Sequence, residues 1–455
     1  MLATLSIALS AALPHPLPGL SLNATARYTA GILKVTSPVG DCSVFHAHVE
    51  HEDKSTPLIA WMNGGPGASS LMGFFTELGP TLLNLQSVPA AGAFSLDASD
   101  GWRPFSNPHA WSRLGSLLVW EQPAGVGFSR CLGGCPRVWN DTTSALANLA
   151  TLRAFYASQP AEASRSLVLA GESYGGIYVP LLAQLVLRDA SLRARGVALA
   201  GIAVGNGCVG YGVEGGCGLD SLDIFVSTLE RLAPGVSRAA IATARSKQPG
   251  QLSRGCAAAV SALFVEVGEY NQYHWSSPCG PDGQGNWGDG SAFACEPPLA
   301  WESWDGDSPY YHITEADAQP VDLDAEPAYR DLLAAGVPTL IYSGLADTGE
   351  PDVGAERCVP TEPRRKWGAP PRYEFAGHVE TYASGLTFAT VAGSGHLVPA
   401  ARDSYNDEGE RLPAYKGAAC KRLWLGRHYA DWCDSPPQQP AAVAPGAHYH
   451  PRIAA

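Results

Sequence analysis

The sequence is poor in charged residues and lacks long apolar runs beyond its N-terminus. Charged residues make up 16% of the 455 residues and hydrophobic residues 45%, whereas an average globular chain has about 25% charged residues. This composition excludes a disordered chain or a coiled coil and predicts one large domain or two modest ones. No apolar run after the N-terminus approaches the roughly 20 residues that a membrane helix needs.

Basic residues are also scarce. The 30 Lys and Arg are outnumbered by 43 Asp and Glu, for a net charge of −13. No cluster of Lys or Arg rises above this acidic background, so we expect no nucleic-acid partner.

Cysteine is the unusual component, with 11 residues. No CxxC pair stands at zinc spacing, so we expect disulfides in an oxidising lumen and no metal or other cofactor. An odd count leaves at least one thiol free or paired elsewhere. The candidate disulfides are Cys208–Cys217, which brackets a Gly-rich stretch, and Cys420–Cys433 near the C-terminus, although connectivity does not follow from sequence.

The N-terminus also favours the secretory pathway. Residues 1–12 are apolar and end in Ser-Ala-Ala, which resembles a signal peptide without the usual Lys or Arg; a trimmed gene model would look the same. Asn23 and Asn140 each begin an N-x-Thr glycosylation triplet. We expect a vacuolar, lysosomal or secreted protein.

Short apolar runs recur along the chain, and each is followed or bounded by small residues. Continuous runs without alternation are typical of strands buried on both faces, as in a parallel sheet. Helical patterns cover 141–158 and 177–195. The sequence therefore predicts an α/β fold with a mostly parallel sheet and helices on both faces. The predicted strands are Pro57–Met62, Ser116–Trp120, Ser166–Ala170, Val197–Val204, Val337–Tyr342 and Leu386–Val391.

This strand and helix rhythm stops between residues 208 and 325, where cysteines and Trp-, Gly- and Asp-rich stretches take over. We interpret 208–325 as a cap inserted between two parts of one core, 13–207 and 326–433. The last segment, 434–455, is rich in Pro, Ala and His and is predicted to be a disordered tail.

One short motif predicts a nucleophile. Gly171-Glu-Ser-Tyr-Gly175 is a G-x-S-x-G sequence with an apolar strand before it and a helical pattern after it. A sharp strand-to-helix turn of this kind presents the serine hydroxyl at the carboxyl edge of the sheet. We therefore predict Ser173 as a catalytic nucleophile.

A serine hydroxyl needs a general base, and the base needs an orienting acid. In chain order Ser, Asp, His, both should follow later strands. Asp347 follows the strand that starts at Val337, and His396 lies in a Gly-flanked turn after the strand that ends at Val391. Asp352 and His378 are the alternatives, but neither directly follows a strand end.

Six motifs in order resemble the serine carboxypeptidases, peptidase family S10, over nearly the whole chain. They are Trp61-Met-Asn-Gly-Gly-Pro-Gly67, Glu77-Leu-Gly-Pro80, Glu121-Gln-Pro-Ala-Gly-Val-Gly-Phe-Ser129, Gly171-Glu-Ser-Tyr-Gly-Gly176, Ile341-Tyr-Ser-Gly344 with Asp347, and Gly393-Ser-Gly-His-Leu-Val-Pro399. The resemblance implies an α/β-hydrolase fold with an inserted cap. It also implies an acyl-enzyme on Ser173 and release of C-terminal amino acids from peptides in an acidic lumen.

The resemblance also implies roles for individual positions. Ser173, Asp347 and His396 match the family's catalytic triad. Gly65 and Tyr174 match the residues whose backbone N–H groups form the oxyanion hole. The residues that match the group holding the substrate's free carboxylate are Trp61, Asn63, Glu77 and Glu172.

Two glutamates beside a bound carboxylate have a physical rationale. A shared site raises the pKa of one of them, and a protonated carboxyl can donate a hydrogen bond to the substrate. As the pH rises, the pair loses its proton and repels the ligand. Glu77 and Glu172 thus predict tighter substrate binding in acid.

The sequence departs from the family pattern at several positions. Ala68 replaces a cysteine that would anchor its loop to the cap, and Leu345 replaces the first of two aspartates after the Ser-Gly strand. The segment Cys131-Leu-Gly-Gly-Cys135 replaces a polar loop and could close a small disulfide.

Other functions fit the same fold. An acyltransferase of the family tends to carry Thr in place of Asn63 and Asp in place of Glu172, so both residues favour a peptidase. A protective lumenal binding protein would not need an intact triad, and a lipase or esterase would not need the carboxylate-binding residues. We expect peptide or protein C-termini as substrates, and a homodimer stays open.

Overall fold

A computed structural model describes residues 9–12, 27–82, 105–107, 109–134, 139–208, 325–345, 347, 360–367, 377–392 and 394–399. Within them a 12-stranded sheet forms the centre of the molecule. Several predicted features lie outside the described residues: the cap between Cys208 and Ala325, the tail, Asn23 and the Cys420–Cys433 pair. The division of the chain into a core and a cap stays a prediction.

Fourteen strands are described, twelve in the large sheet and two in a small hairpin of β5 and β6. They are β1 Leu9–Ala12, β2 Arg27–Ser37, β3 Gly40–Glu50, β4 Leu58–Met62, β5 Thr81–Leu82, β6 Phe105–Ser106, β7 Ser116–Trp120, β8 Arg130–Cys131, β9 Ser166–Glu172, β10 Ala198–Gly205, β11 Thr339–Gly344, β12 Pro360–Trp367, β13 Gly377–Tyr382 and β14 Leu386–Val391.

The described helices are fewer and mostly follow the central strands. They are α1 Ser70–Gly73, which continues into a π-helical turn Phe74–Leu78, α2 Asp141–Ser158, α3 Gly175–Arg188, α4 Ala190–Ala194 and α5 Glu326–Ala334. Two short 3₁₀ turns lie at Trp111–Arg113 and Pro160–Ser164. None of these described helices has the length and apolar content required to cross a membrane.

The large sheet has the order β1-β2-β3-β7-β4-β9-β10-β11-β14-β13-β12, and β8 pairs with β3. The six central strands from β7 to β14 are parallel to their neighbours, and both edges are antiparallel. All six central strands coincide within about two residues with the apolar runs of the sequence. The edge strands contain more polar residues, so the pattern of apolar runs does not predict them.

Both faces of the sheet are covered, as the continuous apolar runs predict. Along β4, Leu58, Ala60 and Met62 face the layer of α2, α3 and α5. Ile59 and Trp61 face the opposite side, where α1 and the π-helical turn pack. The two clusters make this an open α/β sheet with a core on each side.

The predicted helix 177–195 is divided in two. The chain leaves the helical conformation at Asp189, whose side chain accepts a hydrogen bond of 2.7 Å from the backbone N–H of Leu192 and so caps α4. Arg153 of α2 also binds the Asp189 carboxylate. An aspartate favours an N-cap over a helix interior, so the prediction of one continuous helix was wrong.

The disulfide proposed within the Cys131–Cys135 segment is also wrong. Cys131 bonds to Cys42, because β8 pairs antiparallel with β3 and the two residues are register partners. Cys208 is disulfide-bonded as well. Its partner lies outside the described residues, so Cys208–Cys217 stays a prediction.

A buried ionic network closes the amino edge of the central strands. Arg165, only 1% exposed, donates to the backbone carbonyls of His51, Asp53 and Thr56. Its guanidinium lies 3.0 Å from the Glu162 carboxylate, and His48 lies 3.5 Å from the same carboxylate. Burial raises the pKa of Glu162, but bonds and charges from His48, Ser116 and Arg165 outweigh it and lower this pKa to about 2.

We predict that Glu162→Gln destabilises the fold at pH 7 by roughly 3 kcal/mol, because the lowered pKa reflects stabilisation of the ionised carboxylate. In the wild type this contribution is present above pH 4.5 and is lost as the pH falls toward 2. The unfolding free energy of the variant should lack that acid-side decline, as measured by denaturant titration from pH 7 to pH 3. Asp331→Asn, which breaks an exposed ion pair with Arg188, should change it by less than about 1 kcal/mol.

Candidate active site

Ser173 lies at the turn between β9 and α3, on the carboxyl edge of the sheet. Its φ of +56° is in the left-handed region, which a residue with a side chain occupies at a cost of about 1–2 kcal/mol. Three backbone hydrogen bonds hold this conformation. The Ser173 N–H donates to Gly205, and the Ser173 carbonyl accepts from Gly176 and Cys208 at distances of 2.9 to 3.0 Å.

Small residues around the turn are a steric requirement. A Cβ on Gly64 would lie 2.4 Å from the Tyr174 nitrogen and 2.7 Å from Ser173 Cβ, and one on Gly176 would lie 2.0 Å from the Cys208 carbonyl oxygen. The loop after β4 and the start of α3 can therefore approach Ser173 only because these positions carry no side chain.

Asp347 and His396 meet after the ends of β11 and β14. His396 Nδ1 lies 2.7 Å from Asp347 Oδ2, and both side chains are at least 98% buried. Gly344 ends β11 and lets the turn before His396 cross it, since a Cβ there would lie 2.0 Å from the Gly395 carbonyl oxygen. This contact orients one nitrogen of the imidazole toward Asp347 and leaves Nε2 as the other basic nitrogen.

Asn206 is a site residue that the sequence analysis missed. It follows β10, which lies between the strands that carry Ser173 and Asp347. Its amide nitrogen donates to Asp347 Oδ2 at 2.8 Å, and its amide oxygen accepts from the Gly344 N–H at 2.9 Å. The signal was the polar residue in Gly205-Asn-Gly207 directly after a buried strand, together with its position beside the other two strand ends.

The loop after β4 passes close to the serine turn at Gly64, next to Gly65, and the oxyanion-hole roles of Gly65 and Tyr174 stay predictions. Gly65 has φ +109° and follows Gly64, which contacts the Tyr174 nitrogen. The Tyr174 hydroxyl donates to Asp141 at 3.0 Å, and Tyr178 accepts a bond from the Gly67 N–H at 3.2 Å. The first bond ties the start of α3 to the start of α2, and the second ties α3 to the loop after β4.

Trp61, Asn63, Glu77 and Glu172 form one buried cluster. The Asn63 amide oxygen accepts from the Trp61 indole N–H at 2.8 Å and from the Gly73 N–H at 3.2 Å. Two donors on that oxygen turn the amide NH₂ group toward the two carboxylates. It donates to Glu172 Oε1 at 2.8 Å and to Glu77 Oε1 at 3.4 Å.

The pKa of Glu172 is raised well above its usual value. Burial is the largest cause, followed by the charge of Glu77 and a hydrogen bond shared with it, whereas Asn63 lowers it. Glu77 is itself fully buried on the π-helical turn, whose end is held by Asn107 through bonds to the carbonyls of Glu77 and Gly79. The cluster therefore keeps a proton between two carboxyl groups in acid.

The alternative residues lie elsewhere. His378 is on β13, where its backbone N–H donates to Thr390, and the imidazole that meets Asp347 is that of His396. Asp352 lies outside the described residues. Asn140 is exposed and caps α2 through a 2.8 Å bond from Thr143, so its use as a glycosylation site stays a prediction.

The fold and this edge of the sheet define an α/β-hydrolase with the residues of a serine hydrolase. The family description "Serine carboxypeptidase" matches residues 18–225 and 299–406, well over half of the chain. The chain therefore belongs to the serine carboxypeptidase family, and its enzyme class is that of a serine-type carboxypeptidase.

Individual relatives support the same assignment. The chain is 38% identical to the mouse "Lysosomal protective protein" over 43% of this chain and 37% of that protein, so the match spans less than half of this relative. It is 25% identical to the Arabidopsis thaliana "Serine carboxypeptidase-like 36" over 84% and 81% of the two chains. The crystal structure of the prohormone-processing carboxypeptidase Kex1(delta)p from Saccharomyces cerevisiae shares the fold, with a TM-score of 0.56 and 18% identity over 83% of this chain and 89% of that one.

We predict that Ser173→Ala abolishes covalent labelling by a fluorophosphonate, because the reagent reacts with an activated serine hydroxyl. The wild type should be labelled once per chain, as counted by intact mass. The fold should persist, with an unchanged circular dichroism spectrum, because alanine removes only the hydroxyl oxygen. Full labelling of the alanine variant would contradict the assignment of Ser173.

We predict that Asn206→Ala slows this labelling by about 10- to 100-fold, since a hydrogen bond to a charged group contributes about 1.5–3 kcal/mol. Without it, Asp347 loses one of the bonds that orient it toward His396. The labelling rate constant measures the effect. Asn148→Ala removes an equally buried amide that bonds Trp120, and its labelling rate should stay within about twofold of the wild type; equal slowing in both variants would mean general loosening of the core.

Proposed function

We propose that the protein removes C-terminal amino acids from peptides through an acyl-enzyme on Ser173 and works best in acid. The observation that carries this proposal is the buried Glu77–Asn63–Glu172 cluster, whose third member directly precedes Ser173. A serine hydrolase of esters needs no such cluster. An exopeptidase does, because it must hold a free carboxylate beside its nucleophile.

The strained serine turn and the contact between His396 and Asp347 support the following steps. Ser173 attacks the last peptide carbonyl while His396 takes its proton, and Asp347 orients and stabilises the resulting imidazolium. The N–H groups of Gly65 and Tyr174 stabilise the oxyanion of the tetrahedral intermediate. His396 then gives the proton to the departing amine, and a water molecule cleaves the acyl-enzyme with His396 again as the base.

The same cluster supports an acidic optimum. While the carboxyl pair retains a proton, it offers a hydrogen-bond donor to the terminal carboxylate of the substrate, beside the Asn63 amide. Because the pKa of Glu172 is raised, this proton persists well above the range of an ordinary glutamate. His396 acts in the opposite direction, since it must be neutral to accept the serine proton.

An oxidising, acidic lumen fits these requirements. The disulfides at Cys42–Cys131 and at Cys208 support passage through the secretory pathway. The name of the mouse relative assigns that protein to lysosomes. We propose a vacuolar, lysosomal or extracellular site of action on the C-termini of peptides.

The direct experiment measures amino-acid release from an N-blocked dipeptide of the Z-Phe-Leu type and from its C-terminal amide. We expect release of leucine from the free acid and much slower cleavage of the amide. Equal rates on both would contradict exopeptidase recognition. Transfer of an acyl group from a sugar ester to an alcohol, without peptide cleavage, would favour the acyltransferase alternative.

We predict that the double variant Glu77→Gln/Glu172→Gln keeps its affinity for the free dipeptide from pH 5 to pH 8, whereas the KM of the wild type rises over this range. Glutamine amides remain neutral donors at every pH, so the variant should also discriminate less between free and amidated C-termini. The control Glu50→Gln/Glu326→Gln removes two negative charges elsewhere, on β3 and α5. The pH dependence of its KM should match that of the wild type. A KM that rises as steeply in the first variant as in the wild type would disprove the role of the pair.

A further inference from the structure

Three residues on adjacent strands line up at the carboxyl edge of the sheet. Glu172 on β9 is the register partner of Gly205 on β10, and Gly205 is the register partner of Tyr342 on β11. Register partners share one face of a sheet. The face here is the one that carries Trp61, Ala170 and Ala203, so Glu172 and Tyr342 flank a position that has no side chain.

The ring of Tyr342 occupies the space that Gly205 leaves. A Cβ on Gly205 would lie 2.5 Å from a ring carbon of Tyr342 and 2.7 Å from its hydroxyl oxygen. The end of the ring thus lies directly over the backbone of β10, and the hydroxyl is carried across β10 toward the strand that ends in Glu172.

The Tyr342 hydroxyl oxygen is buried and has no hydrogen-bond partner within the described part of the chain. A buried hydroxyl without a partner destabilises a folded protein. This cost is offset if the Tyr342 hydroxyl gains an acceptor when the neighbouring carboxyl pair ionises.

The titratable groups around the carboxyl pair are few among the described residues. Tyr342 faces it from β11, and Asp347, paired with His396, contributes a further negative charge. Burial, and then the charges of Glu172 and Glu77, raise the pKa of Tyr342 well above its usual value. The phenol therefore stays protonated and remains a donor wherever the enzyme is folded.

We propose that the Tyr342 hydroxyl is the donor that stabilises the ionised form of the Glu77–Glu172 pair, and thereby sets the pH at which the pair loses its last proton. Its consequence for substrate binding rests on the proposed function, in which the protonated pair holds the carboxylate of the substrate. Tyr342 is in this sense a positioning residue, which acts through the glutamates.

The direction in which Tyr342 shifts the pKa of the carboxyl pair follows from its role as a donor. A donor to a carboxylate favours the charged form and lowers the pKa of that carboxylate. Tyr342→Phe removes the donor and keeps the ring over Gly205. Each ionisation of the pair should then move up by about one pH unit, the equivalent of one hydrogen bond to a charged group.

Tyr156→Phe is the matched control. Tyr156 lies on α2, and its hydroxyl is also buried without a partner among the described residues. It also faces a carboxylate, that of Glu162 in the network at the opposite edge of the sheet. Both variants remove a buried phenol hydroxyl that faces a carboxylate, but only the hydroxyl of Tyr342 lies beside the carboxyl pair.

The first experiment measures KM for a free-carboxylate dipeptide against pH in the wild type and both variants. We expect the rise in KM to shift by about one pH unit toward alkaline pH in Tyr342→Phe alone. The limiting kcat and the pH at which kcat falls in acid should stay unchanged, because His396 does not depend on Tyr342. A uniform rise in KM at every pH in Tyr342→Phe would mean that the hydroxyl binds the substrate directly, and would overturn the inference.

The second experiment needs no activity. Infrared difference titration follows the band of the protonated carboxyl, assigned to the pair by its loss in Glu172→Gln. We expect its midpoint to move up by about one pH unit in Tyr342→Phe and to stay in place in Tyr156→Phe. An unmoved midpoint in Tyr342→Phe overturns the inference even if the protein is a carboxypeptidase. A moved midpoint in a protein that cleaves no peptide would refute the proposed function and leave the link between Tyr342 and the pair established.

Discussion

The site depends on the close approach of backbone segments at the carboxyl edge of the sheet. Gly64, Gly176, Gly205 and Gly344 each have another group within 2.0 to 2.7 Å of the place where a Cβ would stand. These contacts bring the loop after β4 close to the serine turn, and the turn before His396 close to the end of β11. A methyl group at any of the four would force a segment that carries a functional residue to move, so the site has little freedom to vary in its framework.

The backbone contacts are matched by a chain of polar contacts across the strand ends. Asn63 orients the two glutamates, and Asn206 joins β10 to Asp347. Both amides are almost fully buried, and each uses its oxygen and its nitrogen on different strands or loops. Each of these amides forms hydrogen bonds through both its oxygen and its nitrogen. Their main contribution is to fix the orientation of charged neighbours, more than the energy of any single bond.

Much of this arrangement could be predicted from the sequence, because the central strands are continuous apolar runs and the functional residues directly follow them. The positions of Ser173, Asp347 and His396 after strand ends follow from the sequence in this way, and their catalytic roles stay predictions. Asn206 was missed because an asparagine between two glycines is also an ordinary turn, and only the strand order brings it beside Asp347. The pairing of Cys131 with Cys42 was missed for a similar reason: it depends on the register of β8 with β3, which no local pattern encodes. The break at Asp189 was missed for a different reason. The sequence does contain a local signal, an aspartate suited to cap a helix, but the helical spacing of apolar residues on both sides of it favoured one continuous helix.

The two edges of the sheet carry buried charge in opposite ways. At the amino edge, Glu162 is surrounded by Arg165 and His48 and is stabilised as an anion. At the carboxyl edge, Glu172 has another carboxylate beside it and retains its proton. In the proposed function, acid therefore weakens the scaffold at one edge while it prepares the binding site at the other. Because the two groups of charges share no residue, the lower pH limit of the folded enzyme and the upper pH limit of the proposed substrate affinity are separate traits. Selection or engineering can move one of them without changing the other.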